Sequence, residues 1–88
     1  MVYEIHYSNS AVKFLKKLPK KNQEHILSVI ERSRIRPEKH FERLVGEKTY
    51  KIRAGEYRII ADIYADKLII LVIKIGHRKN IYKIKLNL

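Results

Sequence analysis

The chain has 88 residues, 45% of them hydrophobic and 33% charged, a composition that suits one small folded domain over residues 1–88 and excludes a disordered tail. With no cysteine, disulfides and thiolate metal sites are excluded and a reducing, cytoplasmic setting is expected. Twenty Lys and Arg against nine Asp and Glu leave a net charge of +11, and such a chain attracts polyanions, of which phosphate backbones are the common kind.

The elements follow from the N-terminus. The opening MVYEIHYS carries an acid and a histidine and does not read as a signal peptide. Within it, Val2, Glu4 and His6 alternate with Tyr3, Ile5 and Tyr7, which predicts a first strand over 2–8. A helix follows, with Ser8 or Ser10 as N-cap and Ala11, Leu15 and Leu18 at i, i+4 and i+7. Pro19 cannot continue it and marks a corner. Asn22 is the expected cap of a second helix, whose stripe is Ile26, Val29, Ile30 and Ser33 and whose end is marked by Pro37. Two helices on a short connection predict an antiparallel hairpin that needs a surface to cover. Residues 38–46 read as loop, anchored by Phe41 and Leu44.

Three further strands supply that surface: KTYKIR, EYRIIADIY and KLIILVIKI, joined by turns at Ala54-Gly55 and Ala65-Asp66-Lys67. A two-residue first turn sets Lys51 opposite Arg58 and Ile52 opposite Tyr57. Tyr50, Ile52, Tyr57, Ile59, Ala61 and Ile63 then share one apolar face. A three-residue second turn adds Ile69, Leu71, Ile73 and Ile75 to that face and sets Lys74 opposite Arg58. The longest apolar run, LIILVI at 68–73, is far short of the roughly 20 residues that cross a bilayer, so no membrane partner is expected.

The opposite face then gathers Lys51, Arg53, Arg58 and Lys74, with Arg78 just beyond the strand on the same parity. No acid follows Asp66, whereas Lys67, Lys74, Arg78, Lys79, Lys83 and Lys85 do. Like charges side by side repel, so the cluster points to an anionic ligand. Taken singly, Lys51 and Arg53 are ordinary solvent-facing strand residues and Tyr82 is an ordinary terminal aromatic. Four scattered histidines without cysteine make a poor metal site, and none is expected. Glu47 and Glu56 flank the hairpin as salt partners.

The ordered set YKIRAGEYRII (50–60), a hairpin containing Asp66, and KIGHRKNIY (74–82) resembles the RelE toxin family of the RelE/ParE superfamily. The likeness runs from the first strand through AVKFLKKL and RLVGEKTYKIR to Tyr82. It implies an α+β fold, with an N-terminal strand and a helical hairpin packed on one face of a small, mainly antiparallel sheet. It also implies a type II toxin that cleaves mRNA in the ribosomal A site, with ribosome and rRNA as partners, and that is silenced by a RelB-like antitoxin. By position, Lys51, Arg53, Arg58 and Arg78 match the family's basic residues, and Tyr82 matches the tyrosine that stacks on the substrate base. His77 stands where relatives carry lysine or histidine, and Lys74 and Lys79 extend the substrate-binding surface. The turn before Tyr57 is short, and Arg78 and Tyr82 lie closer together than in some members.

The chemistry needs no cofactor. Attack of a 2′-hydroxyl on its own phosphate requires a base, a stabiliser for the phosphorane and an acid for the leaving 5′-oxygen. Preorganised cations serve the second need. Like charges disfavour an ammonium form, which makes Lys51 the candidate base. Arg58 and Arg78 are the candidate phosphate clamps. Arg53 or His77 faces the leaving oxygen, with His77 preferred because an arginine is a poor acid. Two alternatives stay open: a ParE-like inhibitor of DNA gyrase, and a non-catalytic basic module that binds nucleic acid. The charge calls for an acidic antitoxin, and the basic face is expected to show it the apolar positions Ile60, Leu68, Ile70 and Val72. Such a partner would act by occluding Arg58 and Arg78 or by displacing a segment containing Tyr82.

Overall fold

The computed structural model describes residues 1–44 and 49–80. In chain order it has β1 (Glu4–Tyr7), α1 (Asn9–Lys16), α2 (Lys20–Arg32) and a single turn α3 (Pro37–His40). Then come β2 (Glu42–Arg43), β3 (Tyr50–Ala54), β4 (Tyr57–Tyr64) and β5 (Ile69–His77). The strands form one mixed sheet in the order β1-β5-β4-β3-β2. β1 runs parallel to β5 and every other neighbour is antiparallel.

Local chemistry sets each boundary. Ser8 leaves the strand with extended backbone, and its Oγ accepts from the Ala11 N–H at 3.1 Å, so it, and not Ser10, caps α1. The same hydroxyl donates to the Ile73 carbonyl, which ties the start of α1 to β5. α2 begins earlier than expected. Pro19 holds its N-cap position and Asn22 lies inside the helix, where its amide donates to the Tyr57 hydroxyl at 3.0 Å. The stripe Ile26, Val29, Ile30 and Ser33 is buried as its spacing predicts. Pro37 does not end α2 but opens α3, its missing N–H costing nothing at a helix's first position. The expected loop over 38–46 thus contains a helical turn and the short strand β2, with Phe41 buried between them.

Helices α1 and α2 cover one face, α1 against β5 and α2 against β3. Ala11, Leu15, Ile26 and Ile30 join Ile52, Ile59, Ala61, Ile70, Val72 and Ile75 in one buried cluster. Tyr7 is packed against this core. Burial raises its phenol pKa from the ordinary 10.0, Glu31 adds to the rise and Arg34 opposes it. The folded pKa is therefore above the unfolded one. The contribution of Tyr7 is fully present below about pH 10 and is lost as the pH rises through the folded value. Urea midpoints should fall between about pH 9 and pH 11, and Tyr7→Phe should lessen that fall. An identical fall in both proteins would refute the assignment.

Register is where the expectations need correction. The first turn is Gly55-Glu56, not Ala54-Gly55, so Arg53 faces Arg58 and Lys51 faces Ile60. A shift of two residues keeps every side chain on its predicted face. The second turn has four residues, 65–68, not the expected three, and Leu68 takes a positive φ of 55°. β5 then carries a bulge: Ile60 pairs with Lys74 and Ala61 with Val72, which leaves Ile73 unpaired. Lys74 therefore lies opposite Ile60, and Gly76 lies opposite Arg58. Before the bulge the parity is the reverse of that expected. Ile70 and Val72 are fully buried in the core, while Ile69 and Leu71 face the other way, half-buried. Ile60 does lie on the outer face, yet it is only 5% exposed. Of the four apolar positions expected to be bare, Ile60, Ile70 and Val72 are not, and Leu68 is half-buried.

Candidate functional site

The β3–β4 hairpin builds the site. Gly55 has φ 61°, and a glycine with positive φ at the first of two turn residues is the type II′ pattern, whose twist suits a hairpin. This tight turn sets Arg53 directly across from Arg58 on the outer face. Like charges in that position cost a few tenths of a kcal/mol or more. The turn itself compensates: Arg58 Nη1 donates to the Gly55 and Tyr57 carbonyls, each at 3.1 Å. The guanidinium is thereby folded toward the turn and held there.

β2 extends the same face. Its two residues pair Glu42 with Lys51 and Arg43 with Tyr50, and the Glu42 carboxylate lies 3.8 Å from Lys51 Nζ. Because α3 runs directly into β2, His40 arrives at the same place. His40, Glu42, Lys51, Ile52, Arg53 and Arg58 line one cavity of about 290 Å³. The structure thus brings together three of the residues predicted from sequence and adds two that were missed. Their signal was present: exposed His40 and Glu42 flank buried Phe41, an alternation too short to register as a strand. On the outer face Gly76 lies across from Arg58 and contributes no side chain there.

The remaining candidates are distributed around this cavity. Arg78 is exposed and is tied to the hairpin turn by its backbone N–H, which donates to the Glu56 carbonyl at 2.8 Å. Lys74 lies on the outer face, one strand pair from Lys51 through Ile60. His77 is not beside the cations. It pairs with Tyr57, whose side chain meets Phe14 and Asn22 of the helices, so His77 lies on the helical face. There its ring meets the Tyr57 ring edge-on at 6.0 Å, and its Nε2 is 3.7 Å from Glu56. The Lys79 backbone N–H points at its Nδ1, 3.2 Å away, which leaves the proton of a neutral ring on Nε2. Lys79 is exposed. Tyr82 and Glu47 lie outside the described residues.

Chemically, three side-chain cations around one small concavity fit a phosphate group, bound from several sides and stabilised as its charge grows. Among the described residues, no three His, Cys, Asp or Glu side chains converge to hold a metal ion, and no helix is long and apolar enough to cross a membrane.

Comparison with known proteins sets this geometry in context. Residues 5–82 match the family described as the ParE toxin of type II toxin-antitoxin systems, parDE. No curated protein is similar enough to count as a match. Among solved structures, the chain is similar to the toxin–antitoxin complex RelBE2 from Mycobacterium tuberculosis, with TM-score 0.81, 20% identity, and 91% of this chain and 95% of that one covered. It is also similar to the archaeal RelE–RelB complex from Pyrococcus horikoshii OT3, with TM-score 0.74, 25% identity, and coverage of 91% and 99%. A third likeness is to the free E. coli toxin RelE carrying two arginine-to-alanine changes, with TM-score 0.78, 23% identity, and coverage of 97% and 93%. These likenesses bear out the expected α+β fold.

Proposed function

The chain belongs to the ParE toxin family of type II toxin–antitoxin systems, within the RelE/ParE superfamily, and from that premise we propose that it is a ribosome-dependent mRNA endoribonuclease. The observation that carries this reading is the cavity shared by Lys51, Arg53 and Arg58, with Arg78 tied to the adjoining turn. An inhibitor that acts only by binding has no need of cations converging on one concavity.

In this mechanism the mRNA lies over the outer face and its scissile phosphate enters the cavity. Arg58, preset by the two carbonyls, and Arg78 take the non-bridging oxygens as the phosphorane forms. Lys51 passes its ammonium proton to the Glu42 carboxylate 3.8 Å away and then, as the free amine, draws the proton from the attacking 2′-hydroxyl, and Arg53 holds the phosphate from the opposite strand. The leaving 5′-oxygen needs a proton donor, a role first given to His77. His77 stands on the other face, so we assign the role to His40, whose imidazole lines the cavity and has a ring N–H to donate. The products are a 2′,3′-cyclic phosphate and a 5′-hydroxyl.

The test is cell-free translation with added protein, followed by mapping and end-group analysis of the mRNA. Cuts with cyclic phosphate ends, insensitive to chelators, are expected, and replacing the scissile 2′-hydroxyl by hydrogen should abolish them. Ends bearing 5′-phosphate would sink this mechanism. The match to ParE-type toxins favours a second reading, inhibition of DNA gyrase. Intact mRNA together with blocked supercoiling would establish that reading instead. Either activity calls for an antitoxin, and the similar M. tuberculosis and P. horikoshii structures are RelB–RelE complexes. For this chain we propose an acidic, RelB-like partner. Its apolar contacts would be Ile69 and Leu71, the positions that the bulge turns outward in place of Ile70 and Val72.

A further inference from the structure

A second concavity, about 580 Å³ and twice the size of the first, lies between α1 and the end of β5. Lys13 and Lys17, one helical turn apart, stand on one side, Lys74 and His77 on the other, with Phe14 and Asn80 also lining it. No carboxylate lines it. Scattered lysines on a helix are ordinarily no more than a solvated face. Here two of them converge with Lys74 of β5, an imidazole and an aromatic ring on one hollow, which is the chemistry of a nucleotide site: cations for the phosphate and a ring for the base.

The hollow also connects to the candidate cleavage site. β1 pairs with β5 only as far as Val72, so among the described residues no strand covers the edge of β5 from Lys74 to His77. Lys74 belongs to both regions: it lines the hollow, and on the outer face it lies opposite Ile60, which lies opposite Lys51. Gly76, across from Arg58, lines the hollow as well. A strand leaving the cation cavity therefore meets no side chain from Gly76 as it crosses the edge of β5.

We propose that this cleft binds a nucleotide of single-stranded RNA that continues from the cleavage cavity over the edge of β5. Lys13 and Lys17 hold its phosphate and Phe14 faces its base. The inference rests on RNA being the substrate, but it concerns where RNA is held, not how it is cut.

The test compares the full-length protein with a Lys13→Gln/Lys17→Gln variant, using a fluorescent oligouridylate and a series of salt concentrations. Each phosphate no longer neutralised lowers the salt slope on a single strand by about 0.7, so the loss of this one phosphate should reduce the slope by about 0.7. Lys16→Gln/Lys20→Gln removes the same charge from exposed positions that do not line the cleft and should leave the slope near that of the unaltered protein. In ribosome-dependent cleavage the cleft variant should raise KM and leave kcat unchanged. An unchanged slope in the cleft variant overturns the proposal. So does selective loss of an acidic protein partner with RNA binding intact, which would make the cleft a protein-docking surface. Salt-dependent binding without any cleavage would leave the cleft standing and remove the nuclease reading.

Discussion

Arg58→Ala should slow single-turnover mRNA cleavage on ribosomes by about 10²–10³-fold, the usual consequence of removing one preorganised donor from a developing oxyanion. The size of the effect follows from how Arg58 is held. The Gly55 and Tyr57 carbonyls fix its guanidinium before substrate arrives, so little reorganisation is left for the reaction itself. Stability should be almost untouched, because the side chain contributes nothing to the buried cluster and its loss relieves the opposition with Arg53. Lys51→Ala should cost at least as much if Lys51 is the base. Urea melts alongside the rate measurements separate chemistry from folding. A rate within about threefold of the unaltered protein would remove Arg58 from the transition state.

The second large effect is expected at a histidine. His40→Ala should lower the rate about 10²–10⁴-fold, the range for general acid catalysis. His77→Ala should leave the single-turnover rate in place, since His77 is on the Tyr57 side of the sheet. The reverse outcome would restore the assignment first made from the sequence.

That reversal shows where sequence reading works here and where it stops. The faces of β3 and β4 were legible because alternation with period two survives a register error of two residues. Lys51, Arg53 and Arg58 share a face whether the turn is placed at Ala54-Gly55 or at Gly55-Glu56. The placement itself depends on which residue takes positive φ, and Gly55 fits either turn position. β5 was less legible. Nothing in LIILVIKI distinguishes a regular strand from one bulged at Ile73, because both faces of the run are apolar. The bulge is held by a tertiary contact, the Ser8 hydroxyl on the Ile73 carbonyl, between residues 65 apart. His40 and Glu42 escaped for a related reason. A two-residue strand has no period, and its place in the sheet is settled by pairing with β3.

The position of β5 second in the sheet, between β1 and β4, has a consequence for how the protein comes into being. Among the described residues β1 precedes the other strands yet has only β5 as a neighbour, and α1 also packs on β5. Both must wait for a partner that is synthesised some 65 residues later. Contacts so distant along the chain form slowly, because loop closure has to precede any gain from packing. A nascent or prematurely terminated chain that stops before Ile69 has the helices and the hairpin bearing Arg58, but not the strand on which β1 and α1 pack. In such fragments β1 and α1 should stay undocked, and the hairpin that carries Arg58 lacks its β5 neighbour. Placing the keystone strand after the other four keeps the toxin fold from closing until β5 itself has been made.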